Sequence, residues 1–151
     1  MFRRHPILSA ATFAYLGLVA WITLGPQPVD TGNDYWLVRV LRLFADHRTT
    51  SWITYARVEF GANIAMFVPV GVFFLLLFGR RAWFVAMFAG FVLTCAIETA
   101  QLFLPTRVTD IRDIISNTLG AAIGVLLALI ITAGKAREIR RRERQARPVT
   151  R

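Results

Sequence analysis

The stretch IISNTLGAAIGVLLALIITA (residues 114–133), entered through Asp113, decides the class of this protein. It is apolar over the roughly 20 residues that a helix needs to cross about 30 Å of hydrocarbon. Three further runs of comparable length, residues 7–24, 62–78 and 82–104, read the same way. With 56% hydrophobic residues in 151 positions, four spans leave no room for a second domain. The expectation is an all-α, polytopic membrane protein: one domain over residues 1–151, closed by a basic tail over 135–151.

Charge gives the expected orientation. A net charge of +9 would suggest nucleic acid in a soluble protein, but here the basic residues follow the loops. Arg3 and Arg4 precede the first run, Arg80 and Arg81 separate the second from the third, and eight basic residues follow the fourth. Those segments carry twelve of the 18 basic residues in short sequence, against six in the alternate segments. By the positive-inside rule both termini are cytoplasmic, and the tail is a topology anchor on anionic inner-leaflet lipid; no nucleic-acid partner is expected. The first run is longer than a signal-peptide core and lacks a clean small-x-small cleavage site, so it reads as a retained helix.

Residues 25–61 are then external. They begin at a Pro and Gly break, Gly25, Pro26 and Pro28, and within them Trp36, Leu37, Val40, Leu41 and Phe44 recur at helical spacing. That spacing suits either an amphipathic helix in the headgroup plane or a small helix packed on the span ends. Thr50 or Ser51 is a candidate cap for a further short helix running into span two. Trp21, Trp36, Trp52 and Trp83 all fall near span ends, where an aromatic belt is expected. Pro69 removes one backbone donor inside span two.

The polar residues of the spans gather at a single face. Glu59 and Asn63 stack at the mouth of span two, and Asp113 and Asn117 at the mouth of span four, because residues four apart share a helix face. Thr94, Glu98 and Gln101, at i, i+4 and i+7, make one side of span three increasingly polar toward its outer end, where Pro105 stops it. The connection carries Arg107, Asp110, Arg112 and Asp113, short enough to fold back over the mouths of spans three and four. Gly120 and Gly124 present a small-xxx-small face for close helix approach. Spans two and four both start at this face, so their positive dipole ends favour an anion there.

Other chemistry is excluded. His5 and His47 lie far apart and on opposite sides, against a zinc or histidine hydrolase. There is no P-loop, dinucleotide fingerprint or nucleophile elbow. The single cysteine, Cys95, forms no intramolecular disulfide or thiolate cluster. Glu98, Asp110, Asp113 and Asn117 form an oxygen-rich set of the kind that holds Mg²⁺ or Ca²⁺, but the neighbouring arginines favour charge pairing, so no metal or cofactor is expected.

The segment Asn63-Ile-Ala-Met-Phe-Val-Pro-Val-Gly71, then Ile97-Glu98 with Gln101, then Arg107, Asp110, Asp113 and Asn117-Thr-Leu-Gly120 resembles the VanZ-like family of bacterial membrane proteins over about residues 59–127. The resemblance implies a plasma-membrane protein and, for the founding members, a link to low-level resistance to teicoplanin-type glycopeptides. It carries the family's polar signature onto Asn63, Glu98, Gln101, Arg107, Asp110, Asp113 and Asn117 without supplying a reaction.

Those seven residues form the candidate ligand-binding set. The first reading is a binding protein that grips the anionic headgroup of a membrane lipid or lipid-linked envelope precursor. The alternative is an enzyme on such a lipid, with Glu98 or Asp113 as general base. Transport ranks third, because the inner halves of the spans are almost wholly apolar and offer no polar track. The bland alternative to all three is interhelical hydrogen bonding alone. Self-association through the Gly120 and Gly124 face or through span one is a further expectation.

Overall fold

The computed structural model describes residues 6–25, 53–105 and 109–146, with side chains to residue 134. The amphipathic segment 35–44, Thr50, Ser51, Trp36, Trp52 and Arg107 lie outside the described residues. Four helices follow in order: α1 (Pro6–Leu24), α2 (Tyr55–Phe78), α3 (Trp83–Gln101) and α4 (Ile111–Ala146). Each contains a segment long and apolar enough to cross a membrane, so the chain is an all-α, multi-pass protein.

The helix boundaries follow from local chemistry. Pro6 opens α1, a first-turn position where its missing N–H is not needed. Helix α2 starts seven residues before the apolar run, after an extended Thr54, and passes Pro69 as one continuous helix. Gly79 ends it at φ 84°, a conformation that other L-residues avoid, and its N–H donates to the Leu75 carbonyl at 2.7 Å. A single 3₁₀ turn, Arg80–Ala82, then leads straight into α3. Helix α3 stops three residues before the end of its apolar run: Phe103 and Leu104 donate to carbonyls three residues back, tightening the end before Pro105, whose ring disfavours helical backbone at the preceding residue.

Helices α2 and α4 run parallel and unusually close. A Cβ on Gly120 would collide with the Ile64 carbonyl, one on Gly124 with the Val68 carbonyl, and one on Gly71 with the Ala121 carbonyl. Apolar association gains little between helices already in lipid, so close van der Waals contact of this kind is what holds such a pair. Helix α3 lies antiparallel to both, and α1 packs on α2 through Tyr15, whose hydroxyl donates to the Met66 carbonyl at 2.7 Å. One core cluster joins Val19, Phe67, Val70, Ile97 and Ala121, and a second joins Leu75, Ala86, Val125 and Ala128. Large apolar side chains such as Phe13, Phe88, Leu126 and Ile130 point outward instead, as a lipid-facing surface requires. Trp21 and Trp83 are exposed at opposite ends of the bundle, in keeping with a belt at each interface.

The Gly120 and Gly124 face is filled by α2 of the same chain. It is therefore not free to join two copies, and α1 is the remaining surface of the two expected for self-association.

Candidate functional site

The polar residues meet at the end of the bundle where α2 and α4 begin and α3 finishes. Asn63, two turns into α2, donates from Nδ2 to Asp113 Oδ1 at 2.8 Å. Asp113 sits in the first turn of α4, where the helix dipole favours its charge. Asp110 stands immediately before that helix, and its Oδ1 accepts the Arg112 N–H at 2.8 Å. This is an N-cap contact, so the sequence folds here around a capping aspartate. The Asp110 N–H in turn donates to Glu98 Oε2 at 3.2 Å, which ties the start of α4 to the last turn of α3.

One turn deeper, Asn117 donates from Nδ2 to Thr94 Oγ1 at 3.0 Å, with both residues buried. Gln101 turns the other way and donates from Nε2 to the Thr23 carbonyl at 3.0 Å. Thr23 lies in the last turn of α1, where carbonyls lack helical partners, so Gln101 satisfies a helix end. The buried Gln101 Oε1, Asn117 Oδ1 and Thr118 Oγ1 have no hydrogen-bond partner among the described residues.

The six described members of the expected set thus collect at one bundle end in four contacts: Asn63 with Asp113, Asp110 with Glu98, Asn117 with Thr94, and Gln101 with α1. Arg107 belongs to the undescribed segment between Pro105 and Thr109. Electrostatically the centre is acidic. Glu98 is within reach of Asp110 and Asp113, while Glu59 is within reach of both and of Arg112. Arg112 shares a small crevice with Glu59, Phe60, Asp110 and Asp113, and Arg57 stands in the first turn of α2, two residues before Glu59. No group of three or more His, Cys, Asp or Glu among the described residues is placed to hold a metal ion.

A larger pocket of about 410 Å³ opens between α3 and α4, lined by Cys95, Glu98, Thr99, Leu102, Thr109, Asp110, Ile111 and Ile114. Glu98 is 7% exposed, so a carboxylate nearly withdrawn from solvent forms part of its wall. The α3 side of this pocket, Cys95, Glu98, Thr99 and Leu102, is a stripe at i, i+3, i+4 and i+7, and that spacing is its trace in the sequence. Glu59 joins the acidic group through its position one turn before Asn63. The Thr23 carbonyl left no such trace, because a backbone acceptor is created only where a helix ends.

No curated protein and no solved structure matches this chain. A family model described as VanZ/LLP1 matches residues 12–132. The match extends beyond residues 59–127 to include most of α1 and the segment before α2, which the motif-based resemblance left outside. All seven residues of the polar signature, Arg107 included, fall within it, and the chain belongs to the VanZ/LLP1 family.

Proposed function

We propose that this protein binds a membrane lipid or lipid-linked envelope precursor at the polar end of its bundle, on the outer face of a bacterial plasma membrane. The observation that carries this reading is the pocket between α3 and α4, where a buried carboxylate and a capped helix start lie beside the apolar side chains of Leu102, Ile111 and Ile114. An amphipathic ligand combines the same two chemistries, whereas a wholly polar solute would leave the apolar lining unsatisfied. The α4 N-terminus and Arg112 supply a positive side for a phosphate, and the sequence adds Arg107 three residues before Asp110. The loop charges support an outward-facing site with both termini in the cytoplasm.

Retention of envelope lipids by the purified full chain tests this reading. Alanine at Arg107 should lower retention of phosphate-bearing lipids about tenfold without changing the unfolding temperature. Unchanged retention in a well-folded variant would refute the site. In teicoplanin-exposed cells, expression of the chain should raise survival, and Arg107→Ala should remove the gain. The alternative of catalysis by Glu98 or Asp113 draws support from Asn63, which orients the Asp113 carboxylate. Turnover of isoprenoid diphosphate or phospholipid that disappears in Glu98→Gln would favour it; a full panel without product would dismiss it.

A further inference from the structure

The pocket between α3 and α4 has more acceptors than donors. Glu98 and Asp110 line it, and no lysine or arginine does so among the described residues. Glu98, 7% exposed, receives one hydrogen bond from a described residue, the 3.2 Å contact from the Asp110 N–H. Its other oxygen has no described donor. Asp113 is a third carboxylate within electrostatic reach. A carboxylate so withdrawn from water is costly unless a positive charge or several donors compensate it, and a phosphate placed directly against it would add repulsion.

Resting on the lipid-binding reading above, we propose that the headgroup seated against Glu98 carries a primary ammonium, so that the ligand is an amine-bearing lipid. An ammonium supplies three donors and one positive charge. Glu98, the Asp110 carboxylate and the Thr99 hydroxyl supply acceptors in the same pocket. The acyl chain leaves sideways past Leu102 and Ile111, which are 68% and 73% exposed. This apolar exit separates a lipid amine from a bare metal ion, which gains nothing from it and for which the described residues present no ligand group. Asp110 also lines the crevice that holds Arg112, so a phosphate in the same headgroup has a positive partner beside the ammonium seat.

Native mass spectrometry of the full chain in detergent tests the assignment. The probes are phosphatidylethanolamine, its N-acetylated form, phosphatidylglycerol and soluble glycerophosphoethanolamine. Retention of phosphatidylethanolamine should exceed that of the N-acetylated lipid about ten- to a hundredfold, the range of a charge-assisted contact. Glu98→Gln should erase that preference, so that phosphatidylethanolamine and its N-acetylated form are retained alike. Asp110→Asn preserves the helix cap and should reduce the preference, which keeps the test decisive if Glu98→Gln does not fold. Equal retention of the amine and N-acetylated lipids, or a preference that survives both substitutions, overturns the ammonium assignment and leaves the lipid-binding reading standing. Glycerophosphoethanolamine binding as tightly as the lipid overturns the lipid as its source. Retention of none of the lipids overturns the inference and the underlying reading together.

Discussion

Asn63 and Asp113 lie 50 positions apart and meet at 2.8 Å, amide to carboxylate, at the mouth of the bundle. Asn63→Ala leaves that part-buried carboxylate short of a donor and should cost about 1–3 kcal/mol. Asn63→Asp should cost more, because it sets two like charges face to face. Denaturant unfolding in detergent gives the order; an aspartate variant as stable as the parent would show that the contact contributes nothing. Helical spacing in the sequence already put Asn63 over Glu59 and Asp113 over Asn117. The cross-pairing was not legible there, since it depends on how α2 and α4 are rotated about their axes. The same holds for Asn117, which turns inward to Thr94, and for Gln101, which serves the end of α1.

Helices α2 and α4 are held by backbone contact at Gly71, Gly120 and Gly124. Alanine at Gly120 or Gly124 places a methyl against the carbonyl of Ile64 or Val68, which cannot rotate aside, so the pair must separate at a cost of about 1–3 kcal/mol each. Gly61 lies in the same helix as Ile64 and Val68 but has nothing within 4 Å of an added Cβ. Gly61→Ala should therefore be neutral or stabilise by about 0.5–1 kcal/mol through lower chain entropy. Thermal unfolding of the three variants separates the cases, and equal effects at Gly61 and Gly124 would disprove the close packing. The small-xxx-small spacing was visible in residues 120–124, but its partner was not. Spacing describes one surface; whether another chain or another helix of the same chain fills it is decided by connection length and direction.

The four spans place Thr109 at the polar end and Arg81 at the opposite end, both exposed. In a Cys95→Ser background, an impermeant thiol reagent should modify Thr109→Cys in intact cells and reach Arg81→Cys only after permeabilisation. The reverse pattern would invert the orientation read from the loop arginines and move the site to the cytoplasm. In the expected orientation, the acidic pocket opens outward and the basic tail stays with the anionic inner leaflet.

The number of spans, their limits to within a turn or so at most ends, and the gathering of polar residues at one face could be read from the amino acids in order. Lipid as solvent permits few alternatives: a helix must be apolar for its full crossing, and polar groups must collect where they are wet or paired. The start of α2 was less legible, because a polar first turn outside the hydrocarbon needs no apolar residue to remain helical. The contacts themselves belong to the tertiary structure. It set Glu98 in a pocket wall, made Asp110 a helix cap, gathered four carboxylates at one bundle end, and used the glycine face within the chain. Each outcome depends on the rotation and crossing of helices, which arise from steric fit between residues as distant as Val68 and Gly124 and leave no periodic signal along the chain.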